Sequence, residues 1–280
     1  MGGAMARRLV ASGHQVTLWN RSSSASNTLA EDLASQLVSV ARKPAEAVAA
    51  ADYVICSFAN GEISQSVLLN QDLLRSLRPG AIVCDMGTTG VTTARSLYEQ
   101  LRQHGFSFVD APVSGSVASA AGGQLLVLAS GEPVAVEAMC GIFAAFAKQV
   151  KYLGAAGNGQ AMKLAVNLVV HTLNAALSEA IVFAAQSGIE PAEAYTIFQE
   201  SVVGSAFVNY KREAFLSPTT PVAMSLELVN KDLGLILGSA EVLGVDVPTT
   251  QAAMKLVAAA CQAGFGAADM AALSQFLRQK

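Results

Sequence analysis

Residues 157–170, Gly157-Asn158-Gly159-Gln160-Ala161-Met162-Lys163-Leu164-Ala165-Val166-Asn167-Leu168-Val169-Val170, mark where this chain changes character. The glycines end a loop and the residues after them read as helix, so Asn167 falls one turn beyond Lys163 on the same face. Lys163 is the single charge in the stretch. An ammonium among Leu, Val and Ala side chains loses hydration. Unless it is paired, its pKa falls toward neutrality, where a proton can be given and taken back. A general acid/base for carbonyl chemistry requires that property.

Upstream of this stretch, short β-rich runs alternate with helical patterns. Residues 15–19, 52–57, 80–84, 106–109 and 124–128 read as strands, and a further short strand over 150–153 closes this half. The alternation predicts a doubly wound, mostly parallel α/β sheet. Downstream, strand signals vanish and long Ala/Leu-rich helical patterns take over, interrupted at Ser187-Gly188, Ser217-Pro218 and 244–248. The reading is a Rossmann-like domain over 1–155 and an all-α domain over 156–280.

The opening Met1-Gly2-Gly3-Ala4-Met5-Ala6-Arg7-Arg8-Leu9-Val10 reads as a helix that runs into Gly13-His14 and then a strand. A dinucleotide fold starts with a strand and a Gly-x-Gly-x-x-Gly turn before such a helix. Here Gly2 takes the place of the third glycine, and the strand and two earlier glycines are not in the chain. Either roughly ten residues, about one strand and half a turn, precede Met1 in the full protein, or the central strand has been lost. The first is the expectation.

With 280 residues, 52% hydrophobic and 14% charged, the chain has material for two cores and an apolar surface left to hide in a subunit interface. A homodimer or homotetramer is expected. The net charge of −3, without a basic run, gives no sign of a nucleic-acid partner. Lys163, Asn167, His171, Asn174 and Glu179 interrupt the long apolar stretch too often for a lipid-facing span. Cys56, Cys84, Cys140 and Cys261 are far apart, which reads as reduced cysteines in a cytoplasmic protein. Three scattered histidines give no metal-ligand spacing, so no metal is expected.

Several loops come directly after predicted strands. Asn20-Arg21-Ser22 sits about twenty residues past the glycine turn, where a carboxylate would bind a ribose hydroxyl and an arginine suits a 2′-phosphate. This reading favours NADP over NAD. Asp110-Ala111-Pro112-Val113-Ser114-Gly115-Ser116 precedes a small-residue helical segment over 117–121. Its backbone N–H groups and the Ser114 hydroxyl make a nest for a carboxylate. Asp85-Met86-Gly87-Thr88-Thr89 is either a ligand-binding sheet edge or an N-cap through Thr88 or Thr92, and spacing alone leaves both open. Taken by itself, Lys231-Asp232 reads as a solvated helix pair. His171 reads as a satisfied core or interface histidine rather than a catalyst.

Together these segments, with Gly157-Asn158-Gly159, Lys231-Asp232-Leu233 and Gly264-Phe265-Gly266 plus Asp269, resemble the β-hydroxyacid dehydrogenase family over essentially the whole chain. The stretch 157–188 is most similar to its glyoxylate/succinic semialdehyde reductase branch. The resemblance implies a nicotinamide-dependent oxidoreductase acting on a small 3-hydroxy acid or aldehyde acid, with Lys163 as the catalytic acid/base. It further implies that Ser114 and Gly115 hold the substrate carboxylate, that Asn167 orients the substrate, and that Asp232 lines the site. Thr88 and Lys231 would touch the cofactor near its nicotinamide, and Gly2, Asn20, Arg21 and Ser22 would complete its binding. Gly87, Val166 and Met224 depart from the family pattern, which commonly has Ser, Asn and, in semialdehyde reductases, Phe there. An imine reductase of the same fold, which usually lacks the lysine, and a non-catalytic oligomerisation module are the alternative readings.

Overall fold

The computed structural model describes residues 1–217 and 219–279. Pro218, part of the break expected at Ser217-Pro218, lies outside the described residues. The chain packs into two units that meet within one helix, the first being Met1–Lys163 and the second starting at Leu164.

The first unit runs α1 (Gly2–Ala11), β1 (Val16–Leu18), α2 (Ser23–Leu33), β2 (Val38–Val40), α3 (Pro44–Val48), β3 (Tyr53–Cys56), α4 (Gly61–Leu68) and α5 (Gln71–Ser76). It continues with β4 (Ile82–Asp85), α6 (Val91–Gln103), β5 (Ser107–Asp110), β6 (Val113–Ser114), α7 (Val117–Ala121), β7 (Leu125–Gly131), α8 (Pro133–Phe143) and β8 (Ala147–Tyr152). Strands β3, β4 and β5 are parallel and in register, with Cys56 beside Asp85 and Asp85 beside Asp110. Their C-terminal ends therefore finish level, and three loops leave from one sheet edge.

Both faces of this sheet are covered. Val83 and Phe108 pack with Leu97 and Leu101 of α6 on one side. Cys84 and Val109 pack with Met5, Met139 and Phe143 on the other. A strand buried on both faces reads as a continuous apolar run rather than an alternating one, which is how Val54-Ile55-Cys56 and Ile82-Val83-Cys84 look.

The parallel order stops at β5. Strand β7 is antiparallel to both β5 and β6, while β8 returns parallel to β7. The connection over 115–124 that joins β6 to β7 is shorter than a parallel crossover of about a dozen residues or more, in keeping with their antiparallel pairing. Strands β1 and β2 form a separate parallel pair, and among the described residues no pairing joins β1 to β3. Trp19 after β1 and Phe58 after β3 meet edge to face, their ring centres 6.4 Å apart.

Helix α9 (Asn158–Gln186) leads into the second unit, which adds α10 (Pro191–Glu200), α11 (Ala206–Leu216), α12 (Leu226–Leu243), α13 (Pro248–Ala260) and α14 (Leu273–Arg278). Leu177, Ile181, Tyr195, Val208, Phe215 and Ala271 form its core. Pro191 and Pro248 sit in the first turns of their helices, where a missing N–H costs nothing. Among the described residues α9 is the helix long and apolar enough to cross a membrane. Its buried face nevertheless holds Asn167, His171, Asn174 and Ser178. Asn174 Nδ2 donates to the Met270 carbonyl at 3.0 Å. These contacts pack one face of α9 on its neighbours.

Candidate active site

The first group of candidate residues gathers at the level ends of β4 and β5. Asp85 and Asp110 are both fully buried there. Asp85 Oδ1 accepts from the Gly87 N–H at 3.0 Å and its Oδ2 from the Thr89 hydroxyl at 3.3 Å, which shapes the turn carrying Thr88. Burial pushes the Asp85 carboxyl up to about 6 against the pull of the Gly87 N–H. Asp110 is raised for the same reason, opposed by hydrogen bonds from Gln160 and Ser130. Helix α6 starts after Gly90, so neither Thr88 nor Thr92 is its N-cap. Thr88 is partly buried in the loop instead.

Gln160, one turn before Lys163, ties this edge to the first turn of α9. Its Oε1 accepts from Thr89 N at 3.0 Å and Gly90 N at 3.1 Å. Its Nε2 donates to the Gly87 carbonyl at 2.9 Å and to Asp110 Oδ1 at 3.0 Å. Asp110 Oδ2 accepts from the Gln160 backbone N–H at 3.0 Å and from the Ser130 hydroxyl at 2.9 Å. The Ser130 hydroxyl in turn accepts from the Gly159 N–H at 3.0 Å. The otherwise unpaired N–H groups at the start of α9 are thus satisfied from the sheet edge. A Cβ at Gly159 would run into the Leu128 carbonyl and lie 2.8 Å from Asp110 Oδ2, so only glycine permits this approach. Lys163 comes one turn later and is partly buried.

Ser114 ends β6 and is partly buried, and Gly115 after it has φ +138. A side chain at Gly115 would be strained and would start 2.8 Å from Leu125 Cδ2. The Ser116 hydroxyl is committed to the Ser119 N–H at 3.1 Å, which leaves Ser114 and the Gly115 backbone as the polar groups of this turn open to a ligand.

A second group lies within the second unit. Asn167 Nδ2 donates to Asp232 Oδ2 at 2.7 Å, joining α9 to α12. Lys231 Nζ is 2.9 Å from Asp232 Oδ1, and His171 Nε2 is 3.5 Å from Oδ2. Asp232 is buried rather than solvated, which corrects the reading of Lys231-Asp232 as a surface pair. Burial alone would raise the Asp232 carboxyl, but His171 and Lys231 outweigh it and hold the group below the usual carboxylate range. His171 is 1% exposed, the core position expected of it, and it serves this carboxylate.

Asn20, Arg21 and Ser22 are exposed at the end of β1. Asn20 Nδ2 donates to the Ser22 carbonyl at 3.0 Å, turning the chain into α2. The β1–β2 register, Leu18 beside Val40, continues one step through an Ala41 N–H to Leu18 carbonyl bond of 2.9 Å. Exposed Arg42 and Lys43 therefore leave from the same edge as Arg21. Helix α1 begins at Gly2, has no acidic residue in its first turn, and sets Gly2 beside Ser57, with room for a Cβ 3.7 Å away. Unpaired N–H groups at such a start suit a phosphate. A helix start free of acidic residues, a cationic strand end and a polar loop after β4 are the kinds of group a dinucleotide needs.

Two family models match the chain. Residues 1–154 match the NAD-binding domain of 6-phosphogluconate dehydrogenase, and residues 157–277 the NAD-binding domain of NADP-dependent 3-hydroxyisobutyrate dehydrogenase. Glyoxylate/succinic semialdehyde reductase 1 of Arabidopsis thaliana is 30% identical over 99% of this chain and 95% of its own. The structure of Mycobacterium tuberculosis 3-hydroxyisobutyrate dehydrogenase with L-serine has a TM-score of 0.83 and 30% identity, covering 99% of this chain and 96% of that one. The structure of Psf3 in complex with NADP+ and 2-OPP has a TM-score of 0.89 and 28% identity, covering 99% and 96%.

Proposed function

Because the chain belongs to the β-hydroxyacid dehydrogenase family, we propose that it transfers hydride between NADP(H) and a small 3-hydroxy acid or aldehyde acid, using Lys163 as acid/base. The family is one of nicotinamide-dependent hydroxyacid dehydrogenases and reductases. When bound, the nicotinamide supplies or accepts the hydride.

Lys163 Nζ gives its proton to the carbonyl oxygen as that oxygen becomes an alcohol, and takes one back in oxidation. Ser114 and the Gly115 backbone hold the substrate carboxylate, which fixes the reacting carbon relative to the lysine. Asn167, its Nδ2 committed to Asp232, presents Oδ1 as an acceptor one turn beyond Lys163. Thr88 and Lys231 contact the cofactor near its reactive ring. Gly2, with the start of α1, meets the pyrophosphate, and Asn20, Arg21 and Ser22 meet the 2′-phosphate. Arg21 and the relative solved with NADP+ both support NADP over NAD. L-Serine, found with the mycobacterial relative, is itself a 3-hydroxy acid. Val169, Ile197 and Phe183, the last 76% exposed, leave an apolar surface on the helical unit that supports a homodimer or homotetramer.

The observation that carries this reading is the seating of the Lys163 helix on the polar edge of β4 and β5. The test is turnover of glyoxylate, succinic semialdehyde, 3-hydroxyisobutyrate and L-serine with both cofactors. Lys163→Ala should lower kcat by about 10²–10⁴-fold while NADPH still binds, as read by fluorescence titration. Arg21→Asp should weaken NADPH by about tenfold or more and leave NADH little changed. Undiminished turnover in Lys163→Ala would overturn the assignment. Reduction of cyclic imines in place of aldehyde acids would move the chain to the imine-reducing chemistry.

A further inference from the structure

We propose that Gln160 is a positioning residue for proton transfer, its carboxamide locking the Thr88 loop and Asp110 to the first turn of α9 so that Lys163 is held at a fixed place. The proposal rests on the reading of Lys163 as the acid/base. The side chain is 0% exposed, and its amide makes four hydrogen bonds, two accepted and two donated. That saturates a carboxamide. Flipping it would set N–H groups against the Thr89 and Gly90 N–H groups, and an oxygen against both the Gly87 carbonyl and the Asp110 carboxylate. One rotamer and one orientation survive.

Lys163 lies three residues on, about 4.5 Å further along the helix axis. Its Cα is therefore rigidly placed relative to the backbone on either side of Thr88, which Gln160 grips at Gly87, Thr89 and Gly90. Asp110, bound by the same amide, begins the loop that leads to Ser114. Three segments with proposed roles in one reaction thus converge on a single side chain. A displacement of about 1 Å at such a junction is enough to cost about a hundredfold in rate.

The discriminating variant is Gln160→Glu. Ionised, the glutamate lacks both donors and sets a second carboxylate against Asp110. Protonated, it keeps an acceptor oxygen for the Thr89 and Gly90 N–H groups and regains one donor. The titratable groups around position 160 are Asp110 on β5, Asp85 on β4 and Lys163 on α9 itself, and the two carboxylates favour the protonated form. Expected is a kcat at least tenfold below wild type at pH 8, with the ratio of variant to wild type rising toward one as pH falls toward 6. KM for the acid and Kd for NADPH should change by less than a few fold.

Gln160→Met, uncharged and of similar volume, should show the loss of kcat without recovery, and it carries the test if the glutamate variant does not fold. A merely structural role would lower the melting temperature and the yield of active protein, but would leave the shape of the pH profile unchanged. Near-normal kcat in Gln160→Met, or a Gln160→Glu profile parallel to wild type, would overturn the proposal. Lys163→Ala run alongside separates the two failures: if it is inactive while the Gln160 variants are not, only the positioning role falls.

Discussion

Asn167 and Asp232 meet through a 2.7 Å hydrogen bond between two buried side chains, one from α9 and one from α12. The amide orientation of Asn167 is therefore set by a carboxylate 65 residues away, and that carboxylate is held by Lys231 at 2.9 Å. The first prediction concerns this pair. A double-mutant cycle of Asn167→Ala and Asp232→Ala should give a coupling energy on the order of 1–3 kcal/mol in unfolding experiments. Either single change should also lower kcat/KM by about tenfold or more, through loss of the fixed amide. Additive single effects would show that the bond does not organise the site.

The second prediction is structural. Lys211 is buried and reaches both oxygens of Asp269, at 2.7 and 2.9 Å. The same carboxylate accepts from the N–H groups of Ala223, Met224 and Ala271. It thereby pins the segment carrying Met224 ahead of α12. Removing one partner of a buried pair strands the other, so Lys211→Met should lose about 3 kcal/mol at pH 7 by urea unfolding. Burial would raise the Asp269 carboxyl, yet Lys211 and the Ala271 N–H hold it below the usual range. The stability drawn from that shift is present above the ordinary carboxylate pKa and is lost as pH falls through the folded value. The gap between variant and wild type should accordingly narrow on acidification, and a gap unchanged at pH 3 would contradict the argument.

The third prediction turns on Asp85, whose carboxyl burial raises to about 6. A raised carboxyl works with the opposite sign. Its contribution is fully present below the unfolded value near 4 and is lost as pH rises through about 6. Between about pH 4 and 7 the stability of Asp85→Asn relative to wild type should therefore improve, by something on the order of 3 kcal/mol. Chemical denaturation of both proteins across that range checks it. A difference that is flat with pH would mean the carboxylate is not strained by burial.

Much of the first unit was legible because β3, β4 and β5 are buried on both faces and so announce themselves as apolar runs. Strand β2, Val38-Ser39-Val40, is too short to stand out, and β6 has two residues. The antiparallel course of β7 was not legible, since an apolar run carries no direction and only the length of 115–124 argues for reversal. Lys163 was visible as a charge in apolar surroundings. The partnership of Gln160 with Asp110 was not, because it spans 50 residues. The spacing of Gln160 one turn before Lys163 was the available signal. Asp232 was misjudged from local sequence for the same reason, its burial coming from α9.

Gly159 has consequences for how this protein can change. Its backbone touches the strand ends with no clearance, so even a methyl group would wedge the helix away from its seat. The opening turn of α9 is thus held by shape as much as by attraction, and laboratory evolution toward new substrates should leave positions 159 and 160 untouched.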